Sequence, residues 1–335
     1  LERIFCKSPT RVDLAGGTLD MWPLYNFVDG ATTINVAIDI WTTCEIIKRE
    51  DQIIKVISDD LKKKWQFANI KEFFASKEES LLFYQAIFQA FHGELINFNK
   101  GFEIKTASQS PIGGGLGGSS SLVISVLKAL HQLLEMPLPI PVNLVHTAHN
   151  IEAKMLRTPT GTQDYFAAVT GGISFIKYSA QETSQEVFEV SNTPIKDYFL
   201  LIYTGKAHHS GLNNFEVLKS SVQGEAKVLN ALKKIKVISD KMKLSIANKN
   251  WHEMPQLFRE EYSARLELTP AFSSPEIEKL NKICTEAGAD AVKICGAGGG
   301  GCVLVWVSRE NRNNVLEACK KENFNCLPAQ PVDLI

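Results

Sequence analysis

The chain has 335 residues, 44% of them hydrophobic, enough for a large core and, at roughly 100–200 residues per domain, for about two domains. Its 36 basic and 37 acidic residues leave a formal net charge of −1, so the balance points neither to nucleic acid nor to an anionic membrane as a partner. No apolar run approaches the roughly 20 residues of a membrane span.

Seven cysteines, none in a C-x-x-C pair, read as reduced thiols of a cytoplasmic protein, small core residues rather than disulfides, metal ligands or nucleophiles. The opening Leu1-Glu-Arg-Ile-Phe5 has neither a signal-peptide pattern nor a natural initiator.

In chain order, Arg3 to Thr10 and the alternating Arg11-Val-Asp-Leu-Ala15 predict a strand, and Gly16-Gly17 a turn. Strands follow at Ala31–Asp39, Trp41–Lys48 and Gln52–Ser58, then a helix over Phe83–Phe91 and a strand over Gly101–Thr106. Leu122–Leu134 and, after the proline break 137–141, Val142–Leu156 have helical spacing. Thr158–Gly161 is a turn and Gln163–Val169 a short helix. Strands at Gly172–Tyr178 and Tyr198–Tyr203 enclose a polar stretch, Ser179–Thr193, and the domain boundary falls near Pro194, dividing the chain into 1–194 and 195–335. Amphipathic helices are expected at Asn213–Leu232, Ile235–Asn248, Trp251–Leu268 and Pro275–Ala287, then strands at Ala291–Ile294 and Cys302–Val307 and a last helix over Asn311–Glu322. The C-terminal half reads as an α+β sandwich.

Two glycine runs stand out. Pro111-Ile-Gly-Gly-Gly-Leu-Gly-Gly-Ser-Ser-Ser121 precedes a helix, so permissive backbone meets unpaired helix N–H groups: a cradle for a polyanion such as a nucleotide triphosphate. It is neither a Walker A motif, for want of a lysine, nor a Rossmann fingerprint. Cys295-Gly-Ala-Gly-Gly-Gly-Gly301 fits a tight β-turn equally well, or a second backbone closing on the same ligand.

Glu152 and Asp164 bracket Arg157–Gly161 and can converge, one to bind magnesium and the other to accept a hydroxyl proton; a charged helix face and an N-cap fit them as well. Arg11 can neutralise a phosphoryl group in transit and Asp20 can take substrate hydroxyls, or both can be surface ion-pair residues. His146, His149 and Glu152 share a helix face but lack a zinc-protease pattern. His208-His209, after Thr204-Gly-Lys206, lies in a loop open to substrate or solvent. Trp65 could stack on adenine or simply belong to the core.

In this order the motifs Ser8–Asp20, Pro111–Ser121 and Lys293–Cys302 resemble those of the GHMP kinases (galactokinase, homoserine kinase, mevalonate kinase and phosphomevalonate kinase). The resemblance implies a two-domain α+β fold: an N-terminal mixed α/β domain carrying the phosphate loop and a C-terminal ferredoxin-like sandwich. It implies ATP and Mg2+ as cofactors, with Pro111, Gly113, Gly114, Gly115, Leu116, Gly117, Gly118, Ser119, Ser120 and Ser121 on ATP. Ser119 and Glu152 would hold the metal, Asp164 would be the catalytic aspartate, and Arg11 would assist it. On the substrate side it points to Gly17, Thr18, Asp20, Gly161, Thr162, Lys206, His208, Gly298 and Gly299.

The stretches Gly115–Ala129, Gly161–Asp164 and Tyr203–Lys206 are most similar to D-glycero-D-manno-heptose 7-phosphate kinases. The implied reaction is phosphorylation of a hydroxyl, the anomeric one, of a sugar or sugar phosphate. Galactokinase or fucokinase chemistry, a mevalonate-pathway kinase, and a non-catalytic sugar or nucleotide sensor are the alternatives, in a monomer or homodimer. Two departures stand out: Tyr165 follows Asp164 where sugar kinases often have glutamine, and Gly16-Gly-Thr-Leu-Asp20 stands where heptose kinases have Gly-Gly-Gly-Thr-Asp.

Overall fold

The structure, a computed structural model, describes residues 2–207, 210–296 and 298–335. Strand β1 (Arg3–Ala15) alternates exposed and buried residues as far as Ser8 and is buried throughout beyond it, because protein then covers both of its faces. It pairs antiparallel with β2 (Ala31–Lys48), with register shifts at Pro9/Thr10 and Asp13/Ala15.

The two strands expected at Ala31–Asp39 and Trp41–Lys48 are one strand of 18 residues. Asp39 does not break it, because the C-terminal segment supplies its partners: Asp39 N–H donates to Gln330 O at 2.9 Å and the Asp39 carboxylate accepts from Gln330 N–H at 2.7 Å.

β3 (Ile54–Ser58) and β4 (Lys63–Phe67) form a hairpin of which the sequence pattern marks only the first strand. Three short helices follow, α1 (Ile70–Ala75), α2 (Leu82–Gln89) and α3 (His92–Asn97). A reciprocal cap opens α1: Asn69 Oδ1 accepts from Glu72 N–H, and the Glu72 carboxylate accepts from Ala68 N–H. β5 (Phe102–Ser108) lies parallel to β3 and antiparallel to the C-terminal half of β2.

Helices α4 (Gly118–Leu133), α5 (Pro141–Leu156) and α6 (Gln163–Thr170) come next, then the hairpin β6 (Ile173–Tyr178) and β7 (Thr183–Phe188). β7 lies inside the stretch expected to be polar linker; it pairs with β6 and is nowhere fully buried, so it carries no apolar alternation. The sheet runs β4-β3-β5-β2-β6-β7 with β1 on β2.

The second half begins with α7 (Ile195–Tyr198) and β8 (Phe199–Tyr203), then α8 (Ser210–Val222), α9 (Ala226–Ala247), α10 (Met254–Leu268) and α11 (Pro275–Glu286). The break between the first two long helices comes at Gly224, with φ +76°, and not at Leu232/Ile235 as expected, so α9 is continuous across those residues. β9 (Ala291–Ile294), β10 (Cys302–Trp306), α12 (Arg309–Lys321) and β11 (Asn325–Leu327) complete it. The four strands are antiparallel in the order β11-β8-β10-β9, the ferredoxin-like arrangement.

One apolar cluster packs α4, α5 and α6 on one face of the large sheet; a second runs from the other side of β1 and β2 through α9 and α10 to the small sheet. Each fully buried Leu, Ile or Val in them contributes about 1.5–3 kcal/mol. The chain returns at its end: Pro331 bridges Ile38 and Leu334 bridges Gly171, on the large sheet. Among the described residues no helix is long and apolar enough to cross a membrane, and all seven cysteines are unpaired.

Candidate active site

The first glycine loop, Pro111–Ser121, is held open by backbone geometry. Gly113, Gly115 and Gly117 have φ of +65°, +72° and +72°, a region in which side-chain-bearing residues are strained. Gly117 is the N-cap of α4, and no side chain caps that end; the serines that follow bond elsewhere. Ser120 Oγ donates to the Glu152 carboxylate at 2.8 Å. Ser121 Oγ donates to Ser8 O at 3.0 Å and meets Thr42 Oγ1 at 2.8 Å, tying the helix to β1 and β2. Ser119 faces a cavity of about 890 Å3 that this loop borders.

That cavity brings together Arg11, Thr18, Asp20, Glu152, Gly161, Asp164 and the loop 111–120. Arg11, from β1, donates to Asp164 Oδ1 through Nε at 2.7 Å. Its Nη1 donates to Gly115 O at 2.6 Å and Cys295 O at 2.7 Å. Burial opposes the guanidinium charge, but Asp164 and Asp13 outweigh it and the Arg11 pKa moves up. Asp164 sits in the first turn of α6, whose N-cap is Thr162, so it is no cap itself.

Glu152 is buried at 2% exposure and also accepts from Tyr165 OH at 2.5 Å. Tyr165, the departure after the aspartate, therefore helps to hold this carboxylate. Burial and then Glu152 push the Tyr165 pKa well up, so it stays a donor.

Asp20 is 4% exposed and accepts from Gln163 N–H at 3.1 Å. Burial raises its pKa to about 6; the Gln163 bond opposes, and Asp164 and Asp13 add to the rise. Gly161 packs on this carboxylate so closely that any Cβ would overlap it.

Other expected substrate residues lie elsewhere. A Cβ on Gly17 would overlap Arg265 and Asp13, and Gly17 is not on the cavity wall. Thr162 Oγ1 donates to Tyr178 OH at 2.9 Å and is not on the cavity wall. Lys206 is exposed, 3.4 Å from Glu276 and away from the cavity. Gly298 and Gly299 pack on Phe272 and Ala271; of the second glycine run, only Gly296 lines the cavity among the described residues. His208 lies outside the described residues. His149 Nε2 is 3.0 Å from Thr160 O and His146 neighbours Asn150, so neither forms a zinc site. Trp65 packs edge-on against Tyr84, ring centroids 6.1 Å apart, off the cavity wall.

The two glycine runs do meet. Cys302 N–H donates to Gly114 O at 2.7 Å, and a Cβ on Gly296 would lie 2.9 Å from Gly115 O.

Sequence reading missed a buried group behind them. Arg265 of α10 pairs with Asp13 and, at 2.7 Å, with Glu261, and donates to Gly296 O at 2.9 Å. Lys293 of β9 donates to Asp13 O at 2.6 Å and lies 3.5 Å from Glu261. Charged residues inside the apolar strands Arg11–Ala15 and Ala291–Ile294 were its one sequence signal.

At the other end, Leu61, Phe83, Tyr84 and Ile112 make an apolar, aromatic wall with Ser58, Asp60 and Ser108 beside it.

Among the described residues no group of three His, Cys, Asp or Glu could hold a metal alone. Magnesium needs less than that, one or two carboxylates with phosphate oxygens completing its shell. The oxygen-only set of Glu152 and Ser119 on the cavity wall fits such an ion.

Residues 82–172 match the family model for the GHMP kinases N terminal domain, and residues 242–326 that for the GHMP kinases C terminal. The chain is 28% identical to a D-glycero-alpha-D-manno-heptose 7-phosphate kinase of Campylobacter jejuni, over 96% of this chain and 94% of that protein. It is 25% identical to a galactokinase of Pyrococcus furiosus, over 96% and 94%. Its fold matches the crystal structure of a D-glycero-D-manno-heptose 1-phosphate kinase from Bacteriodes thetaiotaomicron with a TM-score of 0.77 at 22% identity, covering 98% of this chain and 96% of that one.

Proposed function

The chain belongs to the GHMP kinase family, ATP-dependent phosphotransferases with alcohol acceptors, and on that footing we propose that it phosphorylates the anomeric hydroxyl of a sugar phosphate of the heptose 7-phosphate class. The observation that carries the site assignment is the Arg11–Asp164 pair, set between the phosphate loop and the polar wall of Asp20, Thr18 and Gln163. The class of sugar rests on the likeness to the Campylobacter enzyme over nearly both full lengths.

In this reading residues 1–194 carry the donor loop and residues 195–335 close it with Gly296. The purine lies against Phe83 and Tyr84. The amides of the loop and the start of α4 hold the phosphates. Glu152 and Ser119 hold magnesium, which neutralises charge on the phosphates when bound. Asp164 orients the acceptor hydroxyl and takes its proton, and Arg11 offsets the charge on the group in transit. An anomeric hydroxyl is more acidic than other sugar hydroxyls, which eases the demand on Asp164.

A second reading, an unphosphorylated aldose as acceptor, has one observation in its favour. The cations lining the cavity among the described residues, Arg11 and Arg265, are both already paired with carboxylates. An ADP-release assay with heptose 7-phosphate, galactose, fucose and mevalonate separates the readings. Preference for the heptose phosphate by kcat/KM supports the first; preference for a neutral sugar supports the second; turnover of mevalonate alone, or of none, defeats both.

A further inference from the structure

Two hydroxyl groups hold the Glu152 carboxylate, and both meet it on one oxygen. Ser120 Oγ, from α4, donates to Oε2 at 2.8 Å, and Tyr165 OH, from α6, donates to the same Oε2 at 2.5 Å. Oε1 makes no hydrogen bond among the described residues, and Glu152 lines the cavity, as Ser119 does. Three helices thus converge on one group: α5 supplies the carboxylate, and α4 and α6 supply its donors.

The arrangement is stiff. Tyr165 is fully buried in the apolar cluster that packs α4, α5 and α6 on the large sheet. His149 of α5 stands edge-on to its ring, centroids 6.2 Å apart. With the ring packed in place, the hydroxyl cannot follow a carboxylate that rotates. Glu152 therefore has one oxygen to give to a cation and one that is already committed.

Divalent cations differ in what they take from a carboxylate. Magnesium demands near-ideal octahedral geometry, whereas calcium accepts a larger, looser shell and takes carboxylates through one oxygen or two. Hydrogen bonds that occupy Oε2 oppose the two-oxygen mode. We propose that Tyr165 is a positioning residue that, with Ser120, confines Glu152 to one-oxygen coordination and so selects magnesium over calcium. This deepens the kinase reading and rests on Glu152 as a metal ligand.

Metal binding, not turnover, tests this. Wild type and variants are loaded with Mn2+ and a non-hydrolysable ATP analogue, and the bound Mn2+, followed by EPR, is displaced with Mg2+ or with Ca2+. Tyr165→Phe keeps the ring and removes one donor; Tyr165→Phe combined with Ser120→Ala frees Oε2 altogether. Relative to wild type, the ratio of Ca2+ to Mg2+ affinity should rise about threefold in the first and about tenfold in the second. Hydroxyls that served folding alone would, once removed, weaken both ions alike and leave the ratio where it was. Should the double variant fail to fold, the two single variants carry the test by the same ratio.

Glu152→Gln separates this inference from the reading beneath it and should weaken both ions. If it weakens neither, the metal role of Glu152 falls and the proposal with it. If it weakens both while the ratio stays at the wild-type value in the tyrosine and serine variants, the proposal alone is overturned. No acceptor enters the experiment, so a wrong sugar defeats only the proposed function.

Discussion

Arg11 meets Asp164 with two guanidinium nitrogens on a single carboxylate oxygen, Nε at 2.7 Å and Nη2 at 2.6 Å from Oδ1. The Asp164 carboxyl group also packs beside Gly117, the residue that opens α4. The pair therefore fixes one oxygen of the aspartate and turns the group toward the phosphate loop. Because Nη1 of the same arginine holds Gly115 O and Cys295 O, one side chain sets the distance between Asp164, the first glycine loop and the second glycine turn.

Asp164→Asn keeps the shape of this arrangement but loses the proton acceptor. It should lower kcat by a factor of about 10²–10⁴ while ATP still binds with near-normal affinity. Steady-state kinetics with nucleotide titration checks this, and a near-normal kcat defeats the assignment of Asp164 as base.

Asp20 makes its wall of the cavity pH-sensitive. Its pKa near 6 in the folded protein lies above the roughly 3.9 of an unfolded chain. The folded state therefore binds more protons between those values, and stability attributable to Asp20 is full below about pH 4 and lost as pH rises through about 6. A shift of about two units corresponds to roughly 3 kcal/mol. Asp20→Asn should therefore be more stable than wild type at pH 8, with the difference gone near pH 4, as read by denaturant midpoints. The same group should put an acid limb near pH 6 in kcat/KM for the acceptor, absent in the variant. A pH-independent stability difference contradicts the shift.

How much of this could be read from the chain differs element by element. The glycine runs, Arg11, Asp20, Glu152 and Asp164 were legible because each sits in a short motif whose composition has few other uses, and the structure brings them to one cavity. Strand β7 was not, since an edge strand without a buried face has no apolar period. The helix break at Gly224 was missed because apolar spacing continues on both sides of it, and only the left-handed backbone marks the stop. The group of Asp13, Glu261, Arg265 and Lys293 was hidden for a different reason. Asp13 and Arg265 are 252 positions apart, and a charge in a strand says that a partner exists without saying where.

The glycines divide by what they touch. Gly161 abuts the Asp20 carboxylate, whereas a Cβ added to Gly205, at φ +80°, would meet nothing within 4 Å. Gly161→Ala must displace Asp20 and should lower acceptor kcat/KM by about a hundredfold, in line with the cost of a misplaced contact group. Gly205→Ala should cost only backbone strain, about 1 kcal/mol, with kinetics unchanged. Kinetics of the two variants side by side checks the contrast.

Metal handling separates the serines. Ser119 lines the cavity, while Ser120 is committed to Glu152 at 2.8 Å. Ser119→Ala and Glu152→Gln should each raise the magnesium concentration for half-maximal rate about tenfold. Ser120→Ala acts only through the orientation of Glu152, which Tyr165 also holds, and should shift it less. An ADP-release assay titrated with magnesium reads all three, and an unchanged titration for Ser119→Ala removes that residue from the metal site.

The buried charges offer the sharpest stability prediction. Arg265 is shared by Asp13, Glu261 and the Gly296 carbonyl, and although burial works against its charge, Glu261 and Asp13 drive its pKa up. Removing it as Arg265→Met leaves two buried carboxylates with Lys293 alone, 3.8 Å from one and 3.5 Å from the other. Breaking such a pair costs about 3–5 kcal/mol because a charge stays buried without its partner. Replacing Asp13 by its amide in the same chain leaves Glu261 and Lys293 as a one-to-one pair 3.5 Å apart, so the double variant should regain stability relative to Arg265→Met alone. Urea denaturation of wild type, single and double variants measures this. Gly296 loses its anchor in both, so KM for ATP should rise in the double variant even where stability returns. A double variant no more stable than the single one would show that the loss comes from packing rather than from stranded charge.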